Sequence, residues 1–251
     1  VMAVTHHLNL AHGLAVCKLR ETVPDAKIGT VIVMQPVVDW ENDPEGSARL
    51  DALTNRAFTD PALLGTYPDL LLEELSPFVQ EGDLKLIQQP LDFFGLNHYT
   101  TMRARSAPDT ALRVEILQPP SEIPQTIKGW EINPEMLYQQ LLELKNRYGN
   151  LPVYITESGC AAPDELDSEG QGSDPQRVAY FRDYLRAAAR AIEDGVNLKG
   201  YFAWSLMDNF EWAEGYTQRF GIVYVDFPTQ KRIPKDSFYA LKNIFQHNKV
   251  D

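Results

Sequence analysis

Short, almost continuously apolar runs alternate along the chain with longer segments in which apolar residues recur every three or four positions. The short runs are Ile28 to Met34, Leu91 to Leu96, Val153 to Thr156 and Gly200 to Trp204. Such runs predict strands buried on both faces, as in a parallel sheet. The first long segment, Val1 to Glu21, predicts an amphipathic helix with Val4, Leu8, Ala11 and Ala15 on one face. No Met starts it and no cap residue precedes it, so the chain is expected to begin inside a helix of a longer protein. Asn133-Pro134-Glu135 predicts a second helix start, with Leu137, Leu141, Leu144 and Tyr148 on its core face and Gly149 as its stop. Asp174-Pro175 predicts a third, with Val178, Phe181, Leu185, Ala188 and Ile192 inward and Gly195 at its end. A last helix carries Phe238, Leu241 and Phe245, and weaker helices are expected around Ser47 to Phe58 and Asp69 to Leu75.

Strand and helix alternating at this spacing imply βαβ units and a parallel sheet, hence the α/β class. There is no internal repeat, no low-complexity tract and no GxGxxG or P-loop. A doubly wound sheet usually turns through a phosphate-binding loop after its first strand. Here that turn, Gln35 to Trp40, reads Gln-Pro-Val-Val-Asp-Trp. A (β/α)8 TIM barrel is the better reading, of which this chain supplies roughly four of the eight units. Residues 1–251 are expected to be one portion of a single barrel domain.

Composition narrows the function classes. The chain has 251 residues, 44 % hydrophobic and 23 % charged, enough for a packed core and too apolar for disorder. Its formal net charge of −12 repels nucleic acid and anionic membranes, and both are discounted as partners. No run is long and apolar enough to span a bilayer. Cys17 and Cys160 form neither a disulfide framework nor a metal spacing, and read as free thiols in a reducing, cytoplasmic compartment. His6 and His12 lack the spacing of a metal pair and read as packing or capping groups. Neither a metal nor a cofactor is expected.

In a barrel, chemistry sits at the C-terminal ends of the strands. The second strand ends in Asn97-His98-Tyr99, the third in Glu157-Ser158-Gly159, and the fourth in Trp204 followed by Asp208, Asn209, Glu211 and Trp212. By spacing alone Glu157 reads equally as a surface glutamate or as a working carboxylate, since a carboxylate at the end of a buried strand is costly unless paired or used. The aromatic and acidic cluster after Trp204 is what a sugar site needs: ring faces stack on a pyranose and carboxylates accept from its hydroxyls. Taken alone it also fits a hydrophobic loop plug. Asp39 and Trp40 fit a pocket mouth or plain loop packing. The acidic run from Asp164 to Glu169 reads as a solvated loop that can border the site.

Three segments resemble motifs of glycoside hydrolase family 1, in order and across essentially the whole chain. They are Phe94-Gly95-Leu96-Asn97-His98-Tyr99-Thr100, Ile155-Thr156-Glu157-Ser158-Gly159, and Trp204-Ser205-Leu206-Met207-Asp208-Asn209-Phe210-Glu211-Trp212 with Arg219-Phe220-Gly221. The resemblance implies the second half of a barrel, βα units 5–8, of a retaining β-glucosidase. It implies Glu157 as nucleophile and Tyr99 as its contact, with Asn97 helping to hold the site. Trp204 would form the floor under the sugar, Glu211 would bind the hydroxyls at C4 and C6, and Trp212 would bind at C3. Phe220 would pack at the rim and Trp130 on the aglycone side. The substrate implied is a β-glucoside or oligosaccharide.

Two positions depart from the family pattern: Ser158 where Asn is usual, and His98-Tyr99 where many members have Tyr-Tyr. Both are expected to tune specificity. A larger departure is that the family's acid/base motif, Thr-x-Asn-Glu-Pro, does not occur. Activity is therefore expected to depend on the N-terminal half of the barrel. A four-unit fragment would expose two outer strands and their apolar faces, so a partner is expected: that half as a separate or nicked chain, or a second copy of this one. The alternative reading is an inactive sugar-binding fragment or pseudo-glycosidase. An S-glycosidase, which keeps the nucleophile and replaces the acid, would differ only in the other half.

Overall fold

The computed structural model describes residues 1–39, 42–168 and 170–250. Along the chain run α1 (Met2–Thr22), β1 (Gly29–Val33), β2 (Val37–Asp39), α2 (Pro44–Asp51), α3 (Ala57–Leu63), α4 (Leu72–Leu75) and α5 (Asp83–Ile87). Then come β3 (Phe93–Asn97), β4 (Met102–Ser106), β5 (Val114–Leu117), α6 (Pro134–Tyr148) and β6 (Val153–Ser158). The chain closes with β7 (Glu165–Leu166), β8 (Gly172–Ser173), α7 (Pro175–Glu193), β9 (Leu198–Ala203), β10 (Val223–Asp226), β11 (Lys231–Pro234) and α8 (Asp236–His247). Four strands make one parallel sheet in the order β1-β3-β6-β9, with α6 and α7 in the crossovers. These are the four strands read from the sequence, with ends moved by at most two residues. A partial (β/α)8 barrel results, with β1 and β9 as edges among the described residues.

The core lies between the outer face of this sheet and the helices. Phe94, Leu96, Val153 and Ile155 meet Leu137, Leu141 and Leu144 of α6 and Tyr180, Phe181, Tyr184 and Ala188 of α7. Burying each large apolar side chain contributes about 1.5–3 kcal/mol. α6 keeps its expected face, and Gly149 ends it in the left-handed conformation. On α7 the expected Phe181 and Ala188 are buried, but the buried face extends to Arg177, Tyr180, Tyr184, Ala187 and Ala191, while Ile192 is 51 % exposed. Small alanines admit the helix close to its neighbours, and Tyr180 stacks on Tyr184 at 3.9 Å between ring centroids.

On α1 the apolar stripe read from the sequence is a single face, and it is not the one this helix buries. Its buried face is Thr5, His6, Asn9, Gly13 and Val16, while Val4, Leu8, Ala11 and Ala15 are exposed. Long-range hydrogen bonds choose this side. His6 Nδ1 lies 2.9 Å from the Tyr67 hydroxyl, His6 Nε2 lies 2.9 Å from Asp83, and Asn9 donates to Ala57 O at 2.8 Å. The inner face of the sheet is also open, with Val31, Val33 and Phe202 each about half exposed. That face forms a trough of about 600 Å³ lined by Phe93, Tyr154, Thr156 and Phe202. Periodicity did not reveal the antiparallel hairpin β10-β11 or the small sheet β2-β4-β5.

Candidate active site

Strand register assembles the site. Asn97 of β3 pairs with Glu157 of β6, and Ser158 pairs with Ala203 of β9. The ladder continues through His98 N to Glu157 O and Trp204 N to Ser158 O, each 2.9 Å. Glu157 therefore lies within the last residues of β6, and Tyr99 and Trp204 stand just beyond β3 and β9 on the same rim. Two glycines permit this closeness. A Cβ on Gly159 would sit 1.8 Å from Trp204 O, and one on Gly221 would sit 2.1 Å from Asp208 N.

Tyr99 donates its hydroxyl to Glu157 Oε2 at 2.5 Å. Burial, and then this bond to a carboxylate, push the Tyr99 phenol far above its ordinary pKa, so it remains a donor. The Thr156 hydroxyl donates to Asn97 Oδ1 at 2.6 Å, which fixes that amide beside the strand end. On the other flank Trp204 Nε1 donates to Glu211 Oε1 at 3.1 Å. Burial raises the Glu211 pKa against the lowering effect of that bond. Tyr99, Trp130 and Phe220 form one aromatic group, with centroids 5.6 Å (Tyr99 to Trp130), 6.0 Å (Trp130 to Phe220) and 6.3 Å (Tyr99 to Phe220) apart. Lys128 Nζ lies 4.6 Å from the Trp130 ring.

Seven of the eight residues singled out in the sequence thus gather at one end of the sheet. Trp212 does not join them: it opens a short turn, with φ 48° and 86 % exposure. Beneath the site His98 is fully buried, its Nδ1 2.7 Å from Gln140 Oε1, and burial lowers its pKa to about 4. Ser158, where the family pattern has Asn, lies 3.2 Å from the Tyr180 hydroxyl, which also donates to Tyr99 O at 3.4 Å.

The acidic run after the site is not all solvated. The Asp164 side chain is buried against Arg177 and Lys235, while Asp167 is exposed. Its last residue, Glu169, lies outside the described residues, as does Trp40. Asp39 lines a separate cleft of about 780 Å³ with Ser47, Gln140 and Glu143. Sequence reasoning missed Arg177. A cation in the first turn of a helix opposes the helix dipole, and that was the available signal that carboxylates surround it. Among the described residues no three His, Cys, Asp or Glu side chains gather to hold a metal, and no helix is long and apolar enough to cross a membrane.

Comparison with known proteins supplies the family. The chain is 44 % identical over 250 residues to a 1,4-β-D-glucan glucohydrolase of Thermotoga neapolitana, covering 97 % of this chain and 56 % of that protein. It is 42 % identical over 256 residues to a bifunctional β-D-glucosidase/β-D-fucosidase of Bifidobacterium breve, covering 93 % of this chain and 55 % of that protein. The solved β-glucosidase of Thermotoga maritima in complex with azafagomine superposes with a TM-score of 0.92 at 40 % identity, covering all of this chain and 58 % of that one. The chain therefore spans a little over half the length of these relatives. Residues 1–250 match the model for glycosyl hydrolase family 1, and with that match over almost its whole length the chain belongs to that family.

Proposed function

We propose that residues 1–251 are the C-terminal portion, βα units 5–8, of a single-domain retaining β-glycosidase that removes terminal β-D-glucosyl residues. The observation carrying this reading is the 2.5 Å bond from Tyr99 to Glu157 at the end of a barrel strand, flanked by the Trp204–Glu211 pair. A β-glucosidase and a glucosidase/fucosidase among the relatives support the substrate class.

In this mechanism Glu157 attacks the anomeric carbon as the bond to the leaving oxygen breaks. That oxygen takes a proton from a second carboxyl group, about 5–5.5 Å from the first. The second group is supplied by the N-terminal half of the barrel. Water then attacks the glycosyl ester, gives its proton to the same group, and frees Glu157. Tyr99 orients the nucleophile, Asn97 holds the site beside it, and Trp204 floors the sugar. Glu211 binds its hydroxyls, while Phe220 and Trp130 line the rim and the aglycone side. The Glu211 carboxylate repels a sugar phosphate, so unphosphorylated glucosides are the substrates.

The N-terminal half, as a separate or nicked chain, covers the apolar stripe of α1 and the open sheet face. A second copy of this chain is the competing occupant. Free Cys17 and Cys160 support a cytoplasmic setting.

Intact-mass analysis with 2,4-dinitrophenyl 2-deoxy-2-fluoro-β-D-glucoside tests the core of this, because its leaving group departs without acid help. One fluoroglucosyl unit mapped to Glu157 is the expected result. Labelling only after addition of the N-terminal half would locate the site across two chains. No label in either case refutes catalysis and favours a sugar-binding fragment.

A further inference from the structure

Six charged side chains meet beneath the loops that follow β6 and β9. Asp164, Asp174 and Asp208 face Arg177, Arg219 and Lys235, three charges of each sign, and Arg177 and Lys235 are fully buried. A buried ion network contributes little net stability, because desolvating the charges offsets their attraction. It does fix direction, because each bond is short and angle-dependent.

Arg177 uses every N–H of its guanidinium. Nε donates to Cys160 O at 3.2 Å, Nη1 to Asp164 Oδ1 at 2.8 Å and to Asp174, and Nη2 to Asp164 Oδ2 at 3.2 Å and Arg219 O at 2.7 Å. One carbonyl lies three residues past Glu157, and the other belongs to the residue before Phe220. On the far side of Phe220, Lys235 Nζ donates to Gly221 O at 2.6 Å, and Gly221 N donates to Asp208 Oδ1 at 3.0 Å. Both peptide groups flanking Phe220 are thus held by charged side chains. Phe220 packs on Tyr99, and Tyr99 donates to Glu157. The contacts close a ring: Glu157, Cys160, Arg177, Arg219, Phe220, Tyr99 and back to Glu157.

We infer that Arg177 is a positioning residue, whose rigid guanidinium sets the register between the Glu157 segment and the Phe220–Tyr99 aromatic group and so tunes the glycosyl-transfer step. The inference rests on the glycosidase reading above. Arg177 donates to none of the side chains placed around the sugar, only to Cys160 O, Arg219 O and two aspartates. Its loss therefore affects attack geometry more than ground-state binding.

The test uses the complete barrel with an aryl β-glucoside. Arg177→Lys keeps the charge but cannot span both carbonyls. It is expected to lower kcat by about tenfold or more, since misplacement by ~1 Å costs up to ~10²-fold, with KM within about threefold of wild type. Ser237→Ala is the control. Ser237 binds only the Asp174 branch, through its N–H at 2.8 Å and its hydroxyl at 2.5 Å, so this variant should lose thermal stability and keep kcat. Asp164→Asn, which preserves shape but removes the charge paired with Arg177, should also lower kcat, and if the lysine variant does not fold, a wild-type kcat in Asp164→Asn overturns the inference. A folded Arg177→Lys with wild-type kcat overturns the inference, as does an equal kcat loss in Ser237→Ala. An inactive wild-type barrel overturns the glycosidase reading, and the inference with it. An active wild type with an indifferent Arg177→Lys overturns the inference alone.

Discussion

Gly159→Ala puts the packing of the strand ends to a direct test. The added Cβ would stand 1.8 Å from Trp204 O and 2.9 Å from Trp204 C, where real Cβ contacts essentially never fall below 3.0 Å. The obstacle is backbone, so no side-chain rotation relieves it. Restoring 3.0 Å requires a displacement of about 1.2 Å (3.0 − 1.8) between the ends of β6 and β9. The same peptides are tied by the 2.9 Å bond from Trp204 N to Ser158 O, so either that bond opens or the Trp204 peptide turns away. Overpacking of this kind costs about 1–3 kcal/mol of stability. A shift of ~1 Å at Trp204 also carries Glu211 with it through their 3.1 Å bond, and reacting groups displaced that far lose on the order of 10²-fold in rate. Thermal unfolding and kcat/KM on an aryl β-glucoside, measured on the complete barrel, read both effects. Gly82→Ala is the matched control. Its Cβ meets nothing within 4 Å and its φ of +93° strains any side chain, so it should lower Tm and leave kcat/KM alone. A Gly159→Ala protein with wild-type Tm and kcat/KM would refute the reasoning.

Tyr99→Phe removes a hydroxyl that donates to a carboxylate, an interaction contributing about 1.5–3 kcal/mol. Fluoroglucosyl labelling at Glu157 should slow roughly 10- to 100-fold, and an unchanged rate would show that the phenol does not orient the nucleophile. His98 is buried with its pKa lowered from 6.5 to about 4, so the unfolded chain binds its proton first as the solution acidifies. Stability is then fully present above pH 6.5 and falls by about 3 kcal/mol as the pH drops to about 4, where the loss levels off. Denaturant titrations should show this slope reduced in His98→Gln, and equal slopes would refute the assignment. Leu8→Asp places a charge in the exposed apolar stripe of α1. Light scattering should show less self-association of the isolated chain, and added N-terminal half should restore less activity. Undiminished reconstitution would mean that the stripe is not part of that contact.

The sequence alone determined the four strands of the parallel sheet, the order of the long helices and the strand-end position of Glu157, because buried parallel strands are continuous apolar runs and barrel chemistry sits where they end. It also marked Tyr99, Trp204 and Glu211, whose motifs are local in the chain. It did not determine which side of α1 is covered. Val4, Leu8, Ala11 and Ala15 form an apolar stripe, yet in this chain the side carrying His6 and Asn9 is buried, because Tyr67, Asp83 and Ala57 lie there to satisfy it. Nor did it reveal that Asp164 is buried, that α7 turns Arg177 inward, or that Trp212 stands in solvent. Periodicity reports which residues can leave water along one element. Which of them do leave it is decided by groups from distant parts of the chain, such as the Asp164, Asp208 and Lys235 that meet Arg177, and a buried charge is stable only where tertiary structure brings its partners within hydrogen-bond reach.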